Sequence, residues 1–413
     1  METTFYEEME EIVQTSLQAV QPDRAVRRAL AAHHLAPGRV RLVAVGKAAW
    51  PMAAAAAQVL GPRLEQGILI TKHGHSQGPL PRIQCLEAGH PVPDESSFAA
   101  TRAALALVRG LTDADEVLFL LSGGGSALFE LPLVTEAELK DVTGQLLACG
   151  ADIVEINTIR KRLSAVKGGR FALACQPARV FSIVLSDVLG DPPDMIASGP
   201  ACPDGSTCAQ ALAVAEKYQL RLSPQAQALL QEETPKHLDN AESLITGSVR
   251  ELCATAEAAC RRLGYRTVLL TDQLCCQARE AGSFLASVLR THRDTAVPLA
   301  FLAGGETVVQ LKGGGLGGRN QELALAAAPG IAGLNGAVFS VGSDGSDGPT
   351  DAAGGYVDGG TYTRLKRLGI SPYEALERND AYHALQAAQG LIVTGPTGTN
   401  VNDVAVALLR PQP

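Results

Sequence analysis

The segment Leu120-Leu121-Ser122-Gly123-Gly124-Gly125-Ser126-Ala127-Leu128 constrains this chain more than any other. The run Glu116 to Leu121 is apolar after its first residue and passes, through one serine, into three consecutive glycines. Such a run reads as a strand covered on both faces, central to a parallel sheet wrapped by helices. Successive glycines at an element junction are conformationally expensive, so their placement points to a loop whose backbone N–H groups face one spot. A helical turn opening at Ala127 would add its own free N–H groups and dipole, making a cradle for phosphate or carboxylate. The competing reading is a tight turn that needs glycine for geometry alone. The loop is neither a Walker motif, since no Gly-Lys-Ser/Thr closes it, nor a GxGxxG dinucleotide fingerprint.

The same alternation of short β-type runs with alanine- and leucine-rich segments recurs at Arg41 to Val45, Gly67 to Thr71 and Arg179 to Leu185. From Leu220 to Asn240 the chain turns polar, and a new series then begins with Ser243 to Thr246 and a helix over Ser248 to Leu263. It continues in strands near Arg266 to Leu270, Pro298 to Ala303, Thr307 to Lys312, Ala337 to Val341 and Val404 to Leu409. The fold class is therefore α/β, and 413 residues exceed the usual reach of one core. Two domains are expected, 1–236 with a mostly parallel sheet and flanking helices, and 237–413, with a ligand cleft between them.

Composition narrows the function classes. A net charge of -8 offers no broad basic surface for nucleic acid. Met1 to Gln21 carries five glutamates among spaced apolar residues and reads as an amphipathic helix, not a signal peptide. Ala48 to Leu60, broken by Pro51 and Gln58, is well short of the ~20 residues a membrane span needs. Nine cysteines without zinc spacing read as reduced thiols in a cytoplasm. The expected partners are anionic small molecules, with a homodimer as a candidate assembly.

Several loops carry polar groups suited to that chemistry. Lys47 follows the strand Arg41 to Val45 through Gly46, at the sheet edge where α/β enzymes place ligands. Lys312 to Glu322 holds a second glycine-rich loop with Arg319, Asn320 and Gln321 at a helix start, and Arg319 can grip an anion bidentately. Asp187, in the turn Ser186 to Asp191, and Asp344 and Asp347, in the turn Ser343 to Asp351, could hold Mg²⁺ or orient a hydroxyl, although Asp-Gly pairs are also ordinary turn formers. Gly304-Gly305-Glu306-Thr307 and Thr394 to Asn400 are further turns that could line a cleft. His73, His75 and His90 are acid/base candidates without metal spacing.

Taken together, Val45-Gly46-Lys47-Ala48, the Ser122 to Ala127 loop, Asn157-Thr158-Ile159-Arg160-Lys161 through Lys167-Gly168-Gly169, and Ser186-Asp187 through Ser198-Gly199-Pro200 resemble the class II glycerate kinase family. Ala303 to Thr307, Gly317 to Glu322, Ser343 to Asp351 and Thr397-Gly398-Thr399-Asn400 extend the resemblance over nearly the whole chain. These are the glycerate 2-kinases, whose C-terminal part is the MOFRL domain. The resemblance implies a Rossmann-like N-terminal domain, a C-terminal α/β MOFRL domain, ATP, Mg²⁺, and D-glycerate converted to 2-phosphoglycerate. It implies catalytic roles for Lys47, Asp187 and Arg319, and substrate or phosphate binding by Ser122, Gly123, Gly124, Gly125, Ser126, Asn320 and Glu306. Asp344 and Asp347 are the metal candidates. The segment Ala201-Cys202-Pro203-Asp204 departs from the threonine-bearing family version, so its side chains are left out of the catalytic set. Some relatives are labelled hydroxypyruvate reductase. That alternative lacks a GxGxxG followed by an acid, and a non-catalytic sensor of small acids is the other alternative.

Overall fold

In the computed structural model, which describes residues 4–412, the first unit is built around the strand that is most apolar in sequence. The strands β1 (Val40–Val45), β2 (Leu64–Lys72), β3 (Ile83–Ala88), β4 (Glu116–Leu121), β5 (Arg179–Val184) and β6 (Ala241–Ile245) form a parallel sheet in the order β3-β2-β1-β4-β5-β6. Every residue of β4 is buried. Alternate side chains serve opposite faces. Val117, Phe119 and Leu121 join one core with Val43, Val45 and Val180, while Leu118 and Leu120 join the other with Leu42, Ala44 and Phe181. Each large side chain so removed from water contributes roughly 1.5–3 kcal/mol, so β4 is anchored from both sides.

From β1 the chain moves outward through β2 and β3, then returns to β4 beside β1 and proceeds the other way through β5 and β6. The connections after β1 and β4 thus diverge, which leaves a crevice at the C-terminal ends of these two neighbouring strands.

The second unit has a sheet of different character. Strands β7 (Arg266–Leu274), β8 (Leu299–Gly305), β9 (Gly336–Gly342), β10 (Gly354–Asp358), β11 (Leu391–Ile392) and β12 (Asp403–Leu409) follow the order β11-β10-β9-β12-β8-β7. Here β7 pairs parallel with β8, and the other pairings are antiparallel. The helix Phe5–Ala19 belongs to this unit, which comprises 4–21 and 247–412, while 22–246 form the first. Thr4 Oγ1 accepts from the Glu7 N–H at 3.2 Å and the Glu7 carboxylate accepts from the Thr4 N–H at 2.7 Å, a capping box that starts the helix. Met9, Ile12, Val13 and Leu17 form its buried face. Glu8 lies on that face too, taking an ion pair from Arg410 at 2.7 Å and a hydrogen bond from the Tyr265 hydroxyl at 2.6 Å.

Three expectations need correction, the first being that the opening helix, expected within a first domain of 1–236, belongs to the second unit. Ser243 to Thr246 does not open the second series: β6 pairs with β5, Ser182 opposite Ser243, so the chain leaves the first unit after Thr246. The polar stretch before it misled because helix Pro224–Leu230 turns its polar side outward while Ala226 and Leu230 pack with Ala211 and Val214. Thr307 to Lys312 is not a strand. Its Val308 and Leu311 are exposed, and the N–H groups of Lys312 and Gly313 donate to Asn379 Oδ1 at 2.7 and 2.9 Å instead of to a neighbouring strand. No described helix is long and apolar enough to cross a membrane, and the nine cysteines are all free thiols.

Replacing Glu8 removes the carboxylate that pairs with Arg410 and accepts from the buried Tyr265 hydroxyl. Glu8→Ala should therefore lower the unfolding free energy by about 1–3 kcal/mol, read as a lower urea midpoint. An unchanged midpoint would mean that the Glu8 pairings add nothing to the stability of the second unit.

Candidate functional site

The crevice at the ends of β1 and β4 is stitched together by backbone. The Ser122 N–H donates to Val45 O at 2.9 Å, and one residue further on the Lys47 N–H donates to Gly123 O at 2.9 Å. Between them Gly46 has φ +125°, and a Cβ there would collide with Ser122 Oγ. Ser122 Oγ accepts from the Ala48 N–H at 3.1 Å, so this hydroxyl splices the two loops. Lys47 itself is exposed at the lip of the crevice.

The glycines bring three side chains close. Gly124 has φ +86° and caps the one-turn helix Gly125–Leu128. A Cβ built on it would lie 3.0 Å from His90 Cδ2 and 3.5 Å from Lys47 Cε. At Gly123 a Cβ would strike Asp187 Oδ2. The loop backbone therefore sits among an ammonium stem, an imidazole and a carboxylate, with no side chain of its own in the way. Burial, followed by the positive charges of Lys47 and Lys72, lowers the His90 pKa from its usual value, which favours the neutral ring. On the far side Ser126 Oγ lies 3.2 Å from Ser198 Oγ, which donates to Asn157 Oδ1 at 2.9 Å. Ala197 and Ser198 have φ +50° and +62°, a left-handed pair of non-glycine residues beside the loop.

The structure thus brings together Lys47, Gly123, Gly124 and Asp187, and it adds His90, Asn157 and Ser198. In sequence His90 was one histidine among three, and Asn157 and Ser198 stood only as members of dispersed motifs; their convergence depends on loops far apart in the chain. A cavity of about 420 Å³ opens at the opposite end of the sheet, near Glu116 and Arg179 at the starts of β4 and β5. It lacks a glycine loop and lies away from the strand ends where α/β sheets bind ligands.

In the second unit Arg319 opens the helix Arg319–Ala327. Its Nε and Nη2 donate to the two oxygens of Asp403 at 2.5 and 3.0 Å, and Nη1 pairs with Glu306 at 2.9 Å. Burial opposes its charge, but the Asp403 hydrogen bonds and the nearby Glu306 and Asp347 hold its pKa above the usual arginine value. Glu306 is half exposed and also accepts from Asn402 Nδ2 at 3.2 Å. Asn320 is buried, its Oδ1 accepting from Ser340 Oγ. Asp347 accepts from the N–H groups of Asn320 and Gln321 at 3.1 and 2.8 Å, acting as a borrowed cap for a helix whose own cap residue is Gly318. Asp344 Oδ1 accepts from the Ser346 N–H within its own turn. Among the described residues no cluster of three or more histidine, cysteine or acidic groups is poised for a metal.

A family model described as a domain of unknown function, DUF4147, matches residues 8–231, and the MOFRL family model matches 299–403. The chain is 52% identical over 406 residues to the D-glycerate 2-kinase of Thermotoga maritima, covering 97% of each protein. It is 39% identical over 389 residues to the glycerate 2-kinase of Pyrococcus horikoshii, covering 90% of this chain and 88% of that one. A crystal structure of glycerate kinase from Thermotoga maritima matches with a TM-score of 0.94 at 51% identity, over 98% of this chain and 99% of the other.

Burial pushes the Asp347 pKa up to about 6, the hydrogen bonds from Gln321 and Asn320 pull it back, and Asp403 raises it further. Because folding raises this pKa, the stability it confers is complete below the unfolded carboxylate range and is lost as pH rises through about 6. The stability of the native chain relative to Asp347→Asn should therefore fall between about pH 4 and 7, by on the order of 1–3 kcal/mol. Urea unfolding at stepped pH measures it, and parallel curves would remove Asp347 from the titration.

Proposed function

The chain belongs to the glycerate 2-kinase family that carries a MOFRL region, and from that premise we propose that it transfers the γ-phosphoryl group of ATP to the 2-hydroxyl of D-glycerate, giving 2-phosphoglycerate. The observation that carries the proposal is the meeting of Lys47, the bare Gly123-Gly124 backbone and Asp187 at the switch point of a parallel sheet. Phosphoryl transfer asks for positioning and charge neutralisation more than for covalent chemistry. Lys47 and the N–H groups of the glycine loop stabilise the transferring group, whose charge they meet without reorganisation. Asp187 accepts the proton of the attacking hydroxyl or orients it. Ser126, held by Ser198, closes the loop's far side.

The residues present also suit Mg²⁺. Asp191 Oδ1, in the same loop as Asp187, is buried and accepts no hydrogen bond, and hard cations take such carboxylate oxygens together with substrate phosphates. Asp187 and Asp191 would hold the ion, which when bound neutralises charge on the ATP phosphates. Asp347 is engaged as a helix cap and Asp344 by its own turn, so both are weaker ligands than the sequence reading proposed. Arg319, with Asn320 and Glu306 beside it, is proposed as a further anion-binding group; Glu306, half exposed, is the partner a ligand anion would replace.

The protein should release ADP from ATP only when D-glycerate and Mg²⁺ are both present, and phosphorus NMR should identify 2-phosphoglycerate. NADH oxidation by hydroxypyruvate without ATP would establish the reductase alternative, and saturable glycerate binding without ADP release the sensor. Lys47→Met should lower kcat by on the order of 10²–10³-fold with an unchanged circular dichroism spectrum; an unchanged kcat would take Lys47 out of the site. Arg319→Lys cannot reproduce the fork and should lower kcat/KM for glycerate by about tenfold or more. Unaltered kinetics would leave Arg319 with a purely structural role.

A further inference from the structure

Beneath the glycine loop lies a buried charge cluster to which no role in the reaction has been given. Lys167 follows the helix Ile153–Arg162 and is wholly enclosed, yet it carries an ammonium group. Its Nζ donates to Ser126 O at 2.8 Å and to Phe129 O at 3.0 Å, and it lies 3.3 Å from Glu130 Oε2. Arg160 Nη2 donates to the same Ser126 carbonyl at 3.2 Å and stands 4.0 Å from Glu130 Oε2. Glu130 is itself fully buried. The residue after Lys167 joins the same assembly, since the Gly168 N–H donates to Ser198 O at 2.9 Å.

Stability alone gives little reason for this arrangement, because a buried ion pair is often matched by apolar residues of similar volume. Its placement supplies a reason. The carbonyls it binds belong to the one-turn helix Gly125–Leu128 and its cap, where backbone acceptors lack helical partners. Two cations there face one carboxylate, so the floor of the loop carries net positive charge. We propose that Lys167 is a positioning residue of the phosphoryl-transfer site, clamping the Ser126 and Phe129 carbonyls so that the Ser122–Ser126 loop keeps its anion-binding form over a positive floor. The inference rests on the reading of that loop given above.

The ammonium is also tunable. Burial pushes the Lys167 pKa down to about 8, with Glu130 raising it and Arg160 lowering it again. Lys167 is thus charged at neutral pH and loses its proton, and with it part of the clamp, as pH rises through about 8.

The test compares the native protein with Lys167→Arg, Lys167→Met and the double variant Lys167→Met/Glu130→Gln, which removes both charges and keeps the measurement available if the single variant does not fold. Two quantities are read: kcat and KM between about pH 6 and pH 9.5, and hydrogen exchange of the peptide spanning Leu120 to Phe129. The native kcat should fall on the alkaline side with an apparent pKa near 8. In Lys167→Arg, which stays charged, that fall should vanish. The methionine variants should lose kcat by on the order of 10- to 100-fold, with smaller changes in KM and faster exchange in the loop. A folded double variant with native kcat and native exchange would overturn the proposal, as would an alkaline fall that persists unchanged in Lys167→Arg. Absence of glycerate-dependent ADP release from the native protein would instead overturn the kinase reading, and the exchange comparison would still decide the clamp.

Discussion

Two backbone hydrogen bonds, Ser122 N–H to Val45 O and Lys47 N–H to Gly123 O, tie together the two loops on which the proposed chemistry of the first unit rests. They are the last rungs between β1 and β4, carried past the ends of the strands into the loops. β4 is pinned by cores on both faces, so the glycine loop it delivers has a fixed starting point. β1, its parallel neighbour, delivers Lys47 to the same place. The strands fix where the loop begins, and the contacts beneath it, from Lys167 and Arg160 to the Ser126 carbonyl, hold the rest, so the loop itself can be built largely from residues without side chains.

Electrostatics divide the molecule into two kinds of site. At the glycine loop, charge is presented outward by Lys47 and supported from below by Lys167 and Arg160, with Asp187 close to the backbone that anions would approach. Around Arg319 the charges are largely satisfied internally, by Asp403 and Glu306, and the helix start is capped by Asp347. The first arrangement leaves an exposed ammonium beside bare backbone. The second is a packed network in which Glu306 is the one partially exposed carboxylate paired with Arg319.

Much of the first unit was legible in sequence because burial on two faces leaves a direct signature. β4 reads as a central strand from Val117 to Leu121, and the Gly-Lys and Gly-Gly-Gly turns mark the ends of two strands. β3 was not legible, since Gln84 and Glu87 interrupt its apolar pattern at the sheet's edge. Thr307 to Lys312 read as a strand because its residues suit one, but only Val308 makes an isolated bridge, and the end of the segment bonds to the side chain of Asn379, a residue distant in sequence. The site was legible as a set of loops. What the chain order could not convey was that Asp187 meets Gly123 and His90 meets Gly124, or that Lys167, one lysine in a glycine-bearing turn, points beneath the loop instead of into solvent.

The central claim is that phosphoryl transfer takes place where β1 and β4 end. A crystal structure of the protein with a non-hydrolysable ATP analogue, D-glycerate and Mn²⁺ in place of Mg²⁺ tests it most directly. The account predicts a terminal phosphate within hydrogen-bond distance of Lys47 Nζ and the Gly124 N–H, with the anomalous signal of the metal beside Asp187 and Asp191. Triphosphate and metal bound elsewhere, with the glycine loop empty, would contradict it.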